Sequence, residues 1–208
     1  CGLSMTNRMD TVLLYAPVLA YAWLAERSSR ATLALAAGLL PFVAWEIFAL
    51  IYYGFPFPNT AYAKLGTGIP SAEFTRQGLW YLWHTVAEDR ATAAVLLLGL
   101  LAAPWILRRG KWTALALGGL LYVVYVVKVG GDFMSGRFLS APLMVAMLLL
   151  VQVPWRGGMG WGLAACGAIL LGMSTPYTPL FAGNHYGSED VRWDARRIAD
   201  ERWYFMPT

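Results

Sequence analysis

Charged residues are scarce in this chain. Asp, Glu, Lys and Arg make up 13% of its 208 residues, about half of the roughly 25% share typical of a soluble domain. That scarcity, beside 58% hydrophobic and 14% aromatic residues, excludes a disordered chain and an ordinary water-soluble domain. Two cysteines cannot build a disulfide framework, and 21 glycines without a fixed period exclude a collagen-like repeat. The only two histidines, His84 and His185, lack metal-ligand spacing. No Walker motif, dinucleotide fingerprint, heptad array, low-complexity tract or internal repeat is present. A net charge of +4 requires no nucleic-acid partner, because basic residues in an apolar chain have the simpler task of setting membrane orientation.

What the chain has instead is a series of apolar runs. Six stand out, at Thr11–Ala25, Ala31–Tyr53, Ala91–Leu107, Trp112–Val127, Phe138–Val153 and Met159–Thr175. They are apolar all round, without the one-sided pattern of helices that cover a soluble core. The fold expected is an all-α polytopic membrane protein with about six transmembrane helices in a lipid bilayer. Several runs fall short of the roughly 20 residues that span a bilayer, so their ends must borrow flanking aromatic and glycine residues. Cys1 follows no visible signal peptide, and the chain reads as a fragment, with a lipid-modified Cys1 as the competing reading. Cys166, inside an apolar run, reads as a small hydrophobe.

The connections after the first, third and fifth runs are short and carry Arg27, Arg30, Arg108, Arg109, Lys111 and Arg156 against Glu26 alone. This asymmetry assigns them to the cytoplasmic side. The segments Gly54–Arg90 and Lys128–Arg137 and both chain ends then lie outside, together with ten of the 12 acidic residues. Residues 1–175 are expected to form the transmembrane domain, missing its N-terminal part. Residues 176–208 would form an extracytoplasmic segment leading toward a C-terminal domain. Two outer segments carry helical patterns. Ser71–Arg90, with Ser71 as cap and Phe74, Leu79, Leu82, Trp83 and Val86 at helical spacing, reads as an interfacial helix. Ser188–Trp203 reads as a second capped helix with Val191, Ala195 and Ile198 as its stripe.

The most informative segment is Lys128-Val-Gly-Gly-Asp-Phe-Met-Ser-Gly-Arg137. Gly130, Gly131 and Gly136 allow a tight turn, which would hold Asp132 between Lys128 and Arg137 at the rim of the bundle. Such a cluster is either a salt bridge pinning a loop or an anionic headgroup site. In the second reading Arg137 grips phosphate bidentately and Asp132 orients a hydroxyl or a metal. Pro56 and Pro58 end the second run and place Asn59 and Lys64 near the surface, as interfacial anchors or as ligands. Arg8 and Asp10 stand two residues apart at the mouth of the first span. Glu46 is the only charged residue well within a span and must be neutral or partnered. Met134-Ser135-Gly136 faintly suggests an intramembrane serine protease, but no histidine lies in any apolar run to activate the serine.

Several of these segments together resemble the polytopic membrane glycosyltransferases of the GT-C superfamily, in particular the actinobacterial terminal β-(1→2)-arabinofuranosyltransferases. They are Arg8-Met9-Asp10, Tyr52-Tyr53-Gly54, Pro58-Asn59-Thr60-Ala61-Tyr62-Ala63-Lys64, Gly130-Gly131-Asp132-Phe133-Met134-Ser135-Gly136-Arg137 with Ala141-Pro142-Leu143, and Asp200-Glu201-Arg202. The Gly-Gly-Asp-Phe-Met block is the specific one. The resemblance implies a polyprenyl-phosphate sugar donor, an extracytoplasmic active site in the cell membrane, and inverting transfer to a hydroxyl of a cell-envelope glycan acceptor. The sugar, arabinofuranose or another, is left open. The family's acidic first outer loop, with the main catalytic Asp, would lie upstream of this chain. On this reading Asp132 supports catalysis, Arg137, Lys64 and Lys128 bind the donor phosphate, and Arg8, Asp10, Asn59, Asp200, Glu201 and Arg202 are further candidates. No cofactor is assigned beyond a divalent metal ion that Asp132 could orient. The rival class is a non-catalytic transporter or lipid-binding protein, for which Glu46 and Pro41 are the midplane features.

The orientation is checked by labelling single cysteine substitutions in intact cells. A membrane-impermeant thiol reagent should reach position 71 and not position 29. The reverse pattern would invert the assignment.

Overall fold

A computed structural model of the chain describes residues 1–57, 68–155, 157–175, 192–193 and 196–200. Each of the six apolar runs forms a helix: α2 (Val12–Glu26), α3 (Ser29–Tyr53), α5 (Arg90–Leu107), α6 (Gly110–Lys128), α7 (Ser140–Val151) and α8 (Gly157–Met173). A short α1 (Gly2–Asn7) precedes them, and α4 (Ser71–Glu88) lies between α3 and α5. Three helices, α3, α5 and α6, are long and apolar enough to cross a membrane. The others have 15, 12 and 17 residues, and at about 1.5 Å per residue they rely on flanking turns to reach the interfaces.

The fold is all-α apart from one two-residue antiparallel ribbon, β1 (Arg192–Trp193) with β2 (Ala199–Asp200), among the described residues. The ribbon corrects the helix expected over Ser188–Trp203. Ile198 does not continue a helical stripe but enters the core, with Ala199, at 1% exposure each. Local pairing of the two short strands, together with the backbone bonds of Ala199 to Phe133 and Ser135, overrides the helical periodicity.

Helices α2 and α6 run antiparallel along a seam of small residues. Gly110 faces the Tyr21 ring, and a Cβ on Gly118 would collide with the Leu14 carbonyl oxygen. Close backbone approach through glycine is how apolar helices gain packing where lipid competes for every larger side chain. Gly78 does the same for α4 where it crosses the end of α6 at Val127. Gly99 does so for α5 against Ala146 of α7, within a short π-helical stretch, Leu98–Ala102. The core joins Leu14, Tyr81, Leu100, Ala116, Tyr122, Val126, Leu139, Val145 and Leu149. Large side chains such as Leu33, Ile51, Leu97, Leu163 and Leu170 face outward, which suits helices solvated by acyl chains.

The antiparallel seam puts the start of α2 beside the end of α6, so Arg8–Thr11 and the 129–139 loop share one end of the bundle, here called the rim. Arg90, opening α5, donates to the Ser174 carbonyl at the end of α8, 2.7 Å away, at this same end. The short connections from α2 to α3 and from α5 to α6 lie at the other end. Helices α2 and α5 stop on Arg27 and Arg108, both left-handed with φ of 44° and 49°. A cation suits a helix C-terminus even where glycine would be less strained. Glu46 of α3 has a buried Oε1 that accepts no hydrogen bond among the described residues.

The glycine seam predicts a selective sensitivity. Gly118→Leu should cost about 1–3 kcal/mol, as other overpacked contacts do, and lower the melting temperature and monodisperse yield in detergent. Gly172→Leu, at a position with open space around it, should change neither.

Candidate functional site

Helix α4 is built to carry one face of the rim. Gly78, Tyr81, His84 and Thr85, spaced by three and four, are its buried residues, while Leu79, Trp83 and Val86 face outward. Pro70, not Ser71, occupies the N-cap, and no side chain caps this end. The inner face of α4 meets the loop that follows α6. That loop turns on Gly130, Gly131 and Gly136, with φ of 82°, 69° and 71°, a region that side chains with a Cβ resist.

Within the loop, Asp132 is held by its own turn and by one cation. Its Oδ1 accepts from the Phe133 N–H at 3.0 Å. Its Oδ2 lies 3.5 Å from Arg137 Nη1 in an ion pair and accepts no hydrogen bond among the described residues. The Asp132 side chain is 8% exposed and that of Arg137 is 56% exposed. The expected bracket of two cations is therefore corrected to one. Lys128 is exposed at the end of α6 and makes no ion pair among the described residues, because the left-handed turn at Gly130 and Gly131 directs the chain away from it. Arg137 also donates through Nη1 to Met134 Sδ at 3.0 Å. Its Nε and Nη2 have no partner among the described residues, which leaves one edge of the guanidinium free.

The second cluster stands across Phe138. Arg8 donates to Asp10 through Nε at 3.1 Å and Nη2 at 2.5 Å, a bidentate pair. Tyr122, on α6, donates to Asp10 Oδ2 at 2.9 Å. The Asp10 side chain is 10% exposed, and Arg8 stacks over the Phe138 ring at 5.0 Å. The bond to Asp10 raises the Arg8 guanidinium above its ordinary value, against the opposing effect of burial. The two arginines thus flank one aromatic ring, Arg137 as its chain neighbour and Arg8 over its face.

Three further contacts fasten the Asp132 loop, through residues to which the sequence pattern assigns no role. The Tyr81 hydroxyl donates to the Met134 carbonyl at 3.0 Å and accepts from the Phe138 N–H at 3.3 Å. His84 Nδ1 lies 3.4 Å from Ser135 Oγ. Ala199 donates to the Phe133 carbonyl at 2.6 Å and accepts from the Ser135 N–H at 3.0 Å. Gln77 and Trp80 of α4 hold the segment leading to Ala199, by a hydrogen bond to the Arg196 carbonyl and by a ring under the Arg196 guanidinium. The i, i+3 spacing of Tyr81 and His84 on α4 was the available signal. His84 does meet Ser135, but no carboxylate orients it among the described residues, so the pair lacks the third member of a hydrolytic triad.

Of the remaining predicted residues, Asn59, Lys64, Glu201 and Arg202 lie outside the described residues. Asp200 is placed through its backbone, paired with Arg192. Among the described residues no group of three His, Cys, Asp or Glu side chains could hold a metal ion, so the carboxylate at Asp132 stands without the co-ligands that a divalent cation needs.

Burial raises the Tyr81 phenol from its ordinary 10.0 to about 12, with the Phe138 N–H acting in the opposite direction. An acid raised on folding binds more protons folded than unfolded above its ordinary value. Stability should therefore fall as pH climbs from about 10 to about 12. Tyr81→Phe should flatten this part of the profile when melting temperature is followed against pH.

Two curated proteins are similar in sequence. The terminal beta-(1->2)-arabinofuranosyltransferase of Corynebacterium glutamicum is 36% identical over 145 residues, covering 60% of this chain and 20% of its own length. The protein of the same name from Mycobacterium tuberculosis is 29% identical over 98% of this chain and 38% of its own length. The chain thus spans well under half the length of either relative. No family model matches it, and no solved structure matches it significantly. The chain is therefore similar in sequence to the terminal beta-(1->2)-arabinofuranosyltransferases, the resemblance expected from its sequence.

Proposed function

We propose that this chain forms the donor-headgroup rim of a membrane glycosyltransferase that moves a sugar from a polyprenyl-phosphate donor to a cell-envelope glycan on the extracytoplasmic face. The observation that carries the reading is the Asp132–Arg137 pair. It joins a buried carboxylate oxygen that accepts no hydrogen bond among the described residues to an exposed guanidinium with one edge unpartnered among them, at the end of an apolar bundle. The groups required follow from charge. Departure of a polyprenyl phosphate develops negative charge, which a preorganised arginine in a low-dielectric rim stabilises more in the transition state than in the ground state. The free edge of Arg137 suits two phosphate oxygens. The buried Asp132 Oδ2, without a hydrogen bond among the described residues, suits a hydroxyl of the sugar or acceptor.

Arg8 adds a second positive charge across Phe138, already neutralised by Asp10, and serves to shape the rim more than to bind an anion. Lys64 and Lys128 remain proposed donor-phosphate ligands, Lys128 as a mobile surface charge that can approach a bound anion. The acid–base role belongs to a carboxylate that meets the acceptor hydroxyl, supplied by an outer loop of the complete protein, with Asp132 in support. The sugar transferred is arabinofuranose by analogy with the names of the two relatives. Among the described residues no three ligand side chains gather at the rim, and the proposed roles of Asp132 and Arg137 do not depend on a metal ion.

The test is transfer from a radiolabelled polyprenyl-phosphate arabinofuranose in detergent, per folded molecule of the full-length protein. Asp132→Asn should lower transfer roughly 10- to 1,000-fold, or about 1.4–4 kcal/mol of transition-state stabilisation, with an unchanged size-exclusion profile. Unchanged activity would reduce the pair to a loop salt bridge. Loss of transfer to background would promote Asp132 to the proton acceptor.

A further inference from the structure

The loop that holds Asp132 and Arg137 has little rigidity of its own, because three of its ten residues are glycines with positive φ. One side chain from outside the loop touches it at both ends. The Tyr81 ring lies against Gly131, where an added Cβ would come 2.6 Å from the ring. The Tyr81 hydroxyl bridges the Met134 carbonyl and the Phe138 N–H. These contacts fall on the residue before Asp132, midway along the loop, and on the residue after Arg137. Met134 in turn receives Arg137 Nη1 on its sulfur. The Tyr81 side chain is among the most buried large ones in the molecule, so its position is set by the packing of α4 on α6 rather than by the loop it holds.

We propose that Tyr81 is a positioning residue that fixes the separation of the Asp132 carboxylate and the Arg137 guanidinium, and thereby the geometry of the headgroup site. The proposal rests on the transferase reading above. His84 and Ala199 each fasten the middle of the loop, at Ser135 and at Phe133. Tyr81 alone among these three spans from Gly131 to Phe138. Without its hydroxyl, the Met134 carbonyl and the Phe138 amide lose a common partner, and the two functional side chains are released from one another. Displacements of about 1 Å at a reacting centre cost about 100-fold in rate.

The experiment is a double-mutant cycle in the full-length protein, using the same radiolabelled donor and normalising to folded protein. Tyr81→Phe keeps the ring on Gly131 and should lower kcat roughly 10- to 100-fold, with a smaller change in KM. Combined with Arg137→Ala it should fall no more than about twofold below Arg137→Ala alone, because both act through one geometry. Multiplicative losses, or full activity in Tyr81→Phe, would overturn the proposal, since a merely structural tyrosine changes yield and not coupling. Should Tyr81→Phe fail to fold, Gly131→Ala displaces the loop from the ring with the hydroxyl intact. It should show the same non-additivity with Arg137→Ala, and an additive loss there would equally overturn the proposal. If Asp132→Asn and Arg137→Ala are both fully active, the transferase-site reading falls and the positioning role with it. If those two lose activity and Tyr81→Phe does not, the positioning role alone falls.

Discussion

Asp10 and Asp132 carry carboxyl groups into the apolar end of a helix bundle, where each must be met by a cation or by hydrogen bonds to stay there. Much of the rim follows from how the two needs are met. Asp10 is met fully, by a bidentate Arg8 and by the Tyr122 hydroxyl. That arrangement is possible because the α2–α6 seam brings residue 10 level with residue 122. Among the described residues Asp132 is met only in part, by Arg137 at 3.5 Å and by its own turn. A saturated carboxylate is structural in character. An unsaturated one beside a guanidinium with a free edge is chemically available.

The contrast between the two pairs gives the rim a division of labour. The Arg8–Asp10–Tyr122 cluster ties the entry of α2 to α6 and supports Phe138 from one side. The Asp132–Arg137 loop leads directly into Phe138 and is fastened from α4 and from the strand at Ala199. A rigid apolar frame carrying a glycine-rich polar loop is a common way to build a site, since the frame supplies precision and the loop supplies chemistry. The two sequence relatives carry the name terminal beta-(1->2)-arabinofuranosyltransferase, and the chain spans 20% and 38% of their lengths.

Some of this was legible without a structure. Six apolar runs gave six helices at nearly their expected bounds, because hydrophobicity over 15 or more residues is a sum that no single contact reverses. The clustering of Asp132 with Arg137 was legible from the glycines that force a tight turn. The Arg8–Asp10 pairing was legible from spacing alone. Failures were of one kind. Lys128 was expected to flank Asp132 because it is near in sequence, and the turn carried it elsewhere. The segment around Ile198 was given a helical period, and its described residues pair as a ribbon instead.

The sequence by itself therefore determined the solvent this chain lives in, the six apolar helices and their order, and the loop on which charge would concentrate, since each depends on local composition. The tertiary structure alone decided which groups meet across long separations: Asp10 with Tyr122, Tyr81 with Met134 and Phe138, His84 with Ser135, and Ala199 with the backbone beside Asp132. Those contacts join residues 50 to more than 100 positions apart, and periodicity carries no information about them. They arise from glycine-mediated helix approach, which sets the axial register of α2, α4 and α6 and so fixes which polar groups arrive together at the rim.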